Sequence, residues 1–414
     1  MSTPSRGLIA GAAVLMQVCL GIIYAWSVFR GPLEQHYGWS KSVSIAPYRW
    51  SILFFTLAMI VAGFWQDRKG PRLVGSVGGI LLGTGCLLAS FIGDTPMGLN
   101  IAYGVVAGLG VGFAYVTPIA TCVKWFPDKR GFVVGLAVMG FGIGSLIFAP
   151  LLEALLGKDP AQYATTIPRT FQMLAVLFFV LVPGCAYFFR VPPPGWLPEG
   201  WKPSTAAQAA AVNYSPVQML KTWQFAVLWI VYFLGSSVGL TAIGESAPLV
   251  KELAGAAAAM SGGVALGVMS LFNGVGRLVW GALSDRLGKR GVILAMFSIS
   301  ALTCGFLLPA TRDFWRVLAG ICLVGFCYGG YLALMPSLCA EYFGSKQIGA
   351  NYGLLFTAWG AAGFVVPRYM AATLEARKAA GDVAGGYNEM FWALAAIAGV
   401  GLLVTFALRR PSVD

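Results

Sequence analysis

The chain has 414 residues, of which 58% are hydrophobic and only 11% charged, with a single histidine and a mean hydropathy of +0.76. That much apolar surface exceeds what a water-soluble fold of this length can bury in one core, so a soluble protein is excluded. In an integral membrane protein the formal charge of +12 reads as topology and contact with anionic lipid, not as nucleic-acid binding.

A helix crossing the hydrocarbon needs about 20 apolar residues. Twelve such segments follow one another, near 8–29, 43–64, 71–92, 97–121, 132–155, 169–190, 219–243, 261–283, 291–311, 314–339, 351–373 and 388–408. The first, LIAGAAVLMQVCLGIIYAWSVF, is too long for a signal-peptide core and has no obvious cleavage site, so it is expected to stay in the membrane. The basic runs Arg68-Lys69, Lys129-Arg130, Arg286 with Lys289-Arg290, and Arg409-Arg410 fall on one side, which predicts a cell-membrane protein with both termini cytoplasmic. The eight cysteines lie within or at the ends of spans, with no Cys-x-x-Cys pair and no histidine nearby. No disulfide, metal site or cofactor is therefore expected. His36 stands alone near the outer end of the first span and reads as a solvated loop residue, with pH sensing as the alternative.

The chain also repeats itself. GFWQDRKGPR, from Gly63 to Arg72, returns as GALSDRLGKR, from Gly281 to Arg290, both reading G-x-x-x-D-R-x-G-x-R between consecutive spans. KWFPDKRG has a weaker echo in EYFGSK, and Pro150 and Pro367 close corresponding Gly-rich spans. The expected organisation is two copies of a six-helix unit, 1–190 and 219–414, joined by a Pro-rich then Ala-rich cytoplasmic linker at 191–218. Two bundles so joined are the layout of transporters whose halves rock about a midplane site. The expected fold is thus an all-α membrane protein of twelve transmembrane helices in two pseudo-symmetric six-helix bundles.

The doubled loop, together with the spans, halves and linker, resembles the major facilitator superfamily over essentially the full length. That resemblance implies that Asp67, Arg68 and Arg72, with Asp285, Arg286 and Arg290, latch neighbouring helix ends on the cytoplasmic side during gating. Physically, an aspartate can hold an arginine and can also cap the positive N-terminal end of a nearby helix. Topogenic charge at helix ends is the plainer alternative.

Arg277 stands eight residues before Asp285, inside the eighth span. Eight residues of helix rise about 12 Å against a hydrocarbon half-thickness of about 15 Å, which places Arg277 near the midplane. An arginine there costs about 3 kcal/mol even on the mildest insertion scale, and intramembrane charges are functional by default. Snorkelling is opposed by geometry, because side chains lean toward the helix N-terminus and hence away from the nearer interface. A built-in ion pair is opposed by composition, since Glu34, Glu153, Glu245 and Glu389 all fall near outer span ends. Asn273, one turn earlier, shares the face of Arg277, where its amide could donate to a carboxylate or a substrate hydroxyl. A guanidinium prefers planar, bidentate oxygen pairs, so the expected ligand is a carboxylate.

LFNGVGRLVWGALSDRLG, WFPDKRG and Asn351-Tyr352-Gly353 further resemble the group of oxalate/formate antiporters and monocarboxylate transporters. Members of this group hold the substrate carboxylate with the eighth-helix arginine, a role that the resemblance puts on Arg277. Oxalate carriers add a lysine in the eleventh helix, at the position of Trp359 here. One cation balances one carboxylate, which favours a monocarboxylate such as lactate or pyruvate. Animal monocarboxylate transporters usually carry Asp where this chain has Asn273, and a lysine in the first helix that this chain lacks.

Small acids need an apolar, aromatic pocket with a few polar groups. Tyr24, Tyr115, Tyr328 and Tyr331 lie in the four helices that usually surround the site in the superfamily, with Phe141 and Phe356 as apolar wall. The expectation is a monomeric, proton-coupled symporter of small monocarboxylates such as L-lactate, working by alternating access; the alternative is an oxalate/formate-type anion exchanger. A membrane-embedded enzyme is disfavoured, because the spans hold no clustered His, Cys or carboxylate groups and no nucleophile–base pair.

Overall fold

In hydrocarbon every main-chain N–H and C=O must be satisfied within its own segment, so long apolar runs become helices. The structure, a computed structural model, describes residues 5–201, 213–253, 262–311 and 313–411. Among these residues the elements are helical, with no strand. In chain order the long helices are α1 (Arg6–Tyr37), α2 (Ala46–Lys69), α3 (Pro71–Ile92), α4 (Pro96–Trp125), α5 (Arg130–Leu156) and α6 (Tyr163–Ala186). They continue with α7 (Trp223–Leu253), α8 (Gly262–Leu287), α9 (Lys289–Leu307), α10 (Phe314–Phe343), α11 (Ile348–Ala379) and α12 (Val383–Thr405). Part of the expected linker, 202–212, lies outside the described residues.

Ten helices among the described residues are long and apolar enough to cross a membrane. Two further long helices are α8 and α11, of 26 and 32 residues. Large apolar side chains such as Phe91, Val176, Phe306 and Leu403 face outward, as a lipid-facing surface requires.

Contacts divide the chain into two compact units. The first comprises Met1–Asp128, Gly140–Pro216 and Gly344–Phe356, and the second Lys129–Met139, Val217–Phe343 and Thr357–Asp414. The start of α5 belongs to the second unit and the start of α11 to the first. In the first unit α3 packs along α6 and α4, and α1 and α2 lie against α4. In the second unit α10 packs along α8 and α7, while α9 and α12 pair.

Small residues let helices approach closely where no hydrophobic force between them exists in lipid. In the first unit α1 tightens into a 3-10 turn at Gly21–Ala25, and a Cβ on Gly21 would fall 2.8 Å from the Gly144 Cα of α5. Ser5 caps α1 and Asp382 caps α12 through side-chain oxygens that accept first-turn amides. The start of the linker is tied down in the first unit, where Trp196 packs on Trp125 at 4.7 Å and Arg6 pairs with Asp128 beneath it.

Candidate functional site

The repeated loop has the same construction in both copies. Gly70 and Gly288 turn the chain between consecutive helices at φ +88° and +83°, values open to glycine and strained for other residues. The first glycine of each copy admits the start of another helix. A Cβ on Gly63 would strike the carbonyl of Gly349 at the start of α11, and one on Gly281 would strike that of Gly131 at the start of α5. Four residues on, the aspartate caps the helix so admitted. Asp67 Oδ2 accepts the Ala350 amide at 2.8 Å, and Asp285 accepts the Gly131 and Phe132 amides at 2.9 and 2.8 Å. Each carboxylate thus satisfies orphan donors at the positive end of a helix dipole.

The partner of Asp67 is Lys124, at 3.3 Å, and not an arginine of the loop. Arg72 lies over the Tyr187 ring at 4.0 Å, and Arg290 donates to the Phe406 carbonyl at 2.7 Å. Arg68 and Arg286 are exposed. Replacing Asp285 with alanine is expected to lower stability by about 1–2 kcal/mol through loss of both caps. Asp285→Asn, which keeps an acceptor and loses the charge, is expected to cost less. Thermal unfolding of the purified protein measures both, and an unchanged Tm for the alanine variant would mean that the caps contribute nothing.

In the second unit Arg277 is fully buried and Asn273 nearly so. Arg277 Nη2 and Nε donate to Asn273 Oδ1 at 2.7 and 3.2 Å, the contact between residues one helical turn apart, and Nη1 donates to the Val138 carbonyl of α5 at 2.6 Å. Glycines on both sides of α8 make this possible. A Cβ on Gly329 of α10 would come to 3.1 Å from Arg277 Cγ, and one on Gly135 of α5 would strike the Arg277 carbonyl. The Asn273 amide donates one N–H, from Nδ2, to the Gly325 carbonyl at 3.0 Å. In this conformation Asn273 therefore positions the guanidinium. Its oxygen and that of Val138 are neutral acceptors, so these contacts orient the guanidinium without pairing it to a carboxylate.

Trp359 of α11 is buried and donates through Nε1 to the Tyr328 hydroxyl at 2.7 Å. Tyr328 packs closely on α7 because residue 239 is glycine; a Cβ there would overlap the tyrosine side chain. Tyr331, one turn further along α10, packs on α7 as well, one turn away, over Gly235 and 5.0 Å from the Phe297 ring, and its hydroxyl has no hydrogen-bond partner among the described residues.

The first unit gathers Tyr24, Tyr115, Phe141 and Phe356 into one cluster of rings. Tyr115 lies 5.1 Å from Phe141 and 5.4 Å from Phe356, and Tyr24 meets Phe141 edge-on at 5.0 Å. Phe55, which nothing in the sequence distinguishes from other span phenylalanines, completes the cluster at 5.0 Å from Tyr115 and 5.3 Å from Phe356. The carbonyls of Val138 and Gly325 are likewise invisible in sequence, since a main-chain acceptor has no residue signature.

The sequence profile described as Major Facilitator Superfamily matches residues 8–367. The chain belongs to the major facilitator superfamily. A relative within it, the oxalate:formate antiporter of Oxalobacter formigenes, is 30% identical over 356 residues, covering 84% of this chain and 79% of its own. Apicoplast pyruvate carrier 1 of Toxoplasma gondii is 28% identical over 362 residues, 73% of this chain and 64% of its own. A solved structure of a double-tryptophan mutant of XylE superposes with a TM-score of 0.75 at 15% identity, covering 99% of this chain and 97% of that one, a likeness of fold alone. This member of the superfamily is thus a multi-pass membrane protein of a transporter family, with the all-α major facilitator fold, and two of its relatives are an oxalate:formate antiporter and a pyruvate carrier.

Proposed function

We propose that the protein is a secondary transporter of small monocarboxylates, L-lactate and pyruvate among them, that moves its substrate with a proton by alternating access. The observation that carries this reading is Arg277, a fully buried guanidinium oriented by the Asn273 side-chain oxygen and the Val138 carbonyl. A planar cation held in a low-dielectric interior is the group that recognises a carboxylate. In the unit that holds Arg277, Tyr328, with its hydroxyl tied to Trp359, adds aromatic surface of the kind a small organic acid needs, and Tyr24, Tyr115, Phe141 and Phe356 form a ring cluster within the first unit. In this account the halves 1–190 and 219–414 rock on either side of the 191–218 linker, both termini are cytoplasmic, and the monomer is the working unit. The helix caps of Asp67 and Asp285 then form in one phase of the cycle and release in the other.

The alternative, an anion exchanger, draws support from the 30% identity to the oxalate:formate antiporter. Uptake of labelled L-lactate into proteoliposomes separates the two. Symport predicts uptake driven by an inward proton gradient with no anion inside, whereas uptake only against trapped formate or oxalate would move the protein to the exchangers.

Charge balance makes a second prediction. Trp359 is neutral where the resemblance to oxalate carriers calls for a lysine, so Trp359→Lys is expected to raise the preference for dicarboxylates over lactate by about tenfold. Competition of oxalate and malonate against labelled lactate reads this ratio. An unchanged ratio would remove the one-cation, one-carboxylate argument.

A further inference from the structure

A cavity of about 430 Å³ opens at the loop end of the second unit, where α8, α10 and α12 finish and α9 begins. Lys289, Arg290, Arg409 and Arg410 line it, with Glu341 as the acidic member and Tyr342 beside it. Four cations against one carboxylate leave a formal excess of three positive charges on this lining.

The parts are arranged, and not merely crowded. Glu341 Oε2 accepts Lys289 Nζ at 2.7 Å, and Oε1 accepts Arg410 Nη2 and Nε at 2.5 and 3.0 Å, so one carboxylate fixes a cation from α9 and another from the chain after α12. Arg290 is held by a single bond, from Nη2 to the Phe406 carbonyl at 2.7 Å, which leaves most of its five donors for a ligand. Arg409 is exposed on the same rim. The floor adds donors of its own, because α9 starts at Gly288 with no side-chain cap, and its first-turn amides have no acceptor within the helix. Convergent guanidinium and main-chain N–H donors around an open cavity fit a phosphate.

A second feature says where that phosphate comes from. Leu287, Leu403 and Phe406 adjoin the cavity along the chain and are exposed at 70%, 68% and 53%. Phe406 lies beneath the Arg290 guanidinium, 5.8 Å from ring centre to Cζ. Exposed apolar side chains beside a basic cavity at a helix end offer what a phospholipid needs, cations for the headgroup and an apolar flank for the acyl chains.

We propose that this cavity binds the phosphate headgroup of an anionic phospholipid, with its acyl chains against Leu287, Leu403 and Phe406. The site stands apart from Arg277 and does not depend on the substrate reading. The test is native mass spectrometry of the purified full-length protein, titrated with phosphatidylglycerol and with phosphatidylcholine of equal chain length. The wild type is expected to prefer phosphatidylglycerol, and the double variant R290Q/R409Q to bind it roughly 30-fold more weakly, while R290K/R409K keeps most of the preference. Both arginines are exposed, and thermal unfolding checks that the variants remain folded. Equal binding of the two lipids by the wild type, or an intact preference in a folded R290Q/R409Q protein, would overturn the site. Glycerol 3-phosphate supplies the remaining arm. It is expected not to displace the lipid at millimolar concentration, and displacement would assign the cavity to a soluble phosphate and overturn the lipid.

Discussion

Replacing Arg277 with alanine is expected to lower uptake of labelled L-lactate into proteoliposomes by about a hundredfold. Losing one partner of a desolvated charged hydrogen bond costs about 2–5 kcal/mol, and about 3 kcal/mol corresponds to two decades of affinity. Part of any loss could instead come from the fold, because Arg277 bonds to Asn273 and to the Val138 carbonyl. Those acceptors are neutral, and the main-chain one keeps its place in α5, so the structural cost is set at about 1–2 kcal/mol. A melting curve on the same preparation separates the two effects. Arg277→Lys makes the comparison sharper, since the ammonium keeps the charge but cannot reproduce the planar fork. Its expected result is transport with a raised KM. Normal uptake by a folded Arg277→Ala protein would remove Arg277 from the site.

Asn273→Asp is expected to be nearly as damaging, and for an electrostatic reason. An aspartate would receive the same two guanidinium N–H groups, but as an ion pair in a low-dielectric interior, and would neutralise the cation that the substrate needs. It would also set a carboxylate oxygen against the Gly325 carbonyl, where Asn273 now donates at 3.0 Å. The expected outcome is a fall in lactate affinity of about tenfold or more, with recovery as the pH falls. The sign follows from protonation: a neutral carboxylic acid again offers a donor to Gly325 and an uncharged oxygen to Arg277, as the amide does. The lactate KM of the variant across external pH reads this directly. A KM equal to that of the wild type at every pH would show that the charge state of residue 273 is immaterial.

These two residues are also the most legible part of the site. A charge surrounded by apolar residues is conspicuous in sequence, and a polar residue four positions earlier must share its helical face. The doubled loop is legible for a similar reason, because the glycine, aspartate and second glycine recur at fixed offsets and each has one geometric role. The first admits a helix start, the aspartate caps it, and the second glycine turns at positive φ. What stays hidden belongs to the main chain and to rotation about helix axes. The carbonyls of Val138 and Gly325 orient Arg277 and Asn273 without any side-chain trace. The direction of the Asn273 amide, with its oxygen on the guanidinium and one N–H on the Gly325 carbonyl, is equally unreadable. Tyr328 and Tyr331 look equivalent in sequence, yet three residues of helix leave them about 60° apart. One meets Trp359 and the other meets Phe297. Phe55 joins Tyr115 and Phe356 through packing alone.

The central claim, that a buried guanidinium recognises a carboxylate, is tested most directly by competition in the wild-type protein. Uptake of labelled L-lactate would be measured in proteoliposomes against unlabelled L-lactate and against lactamide, which has the same carbon skeleton and an uncharged amide in place of the carboxylate. Competition by lactate and none by lactamide at the same concentration is the predicted result, and equal competition by the two would contradict it.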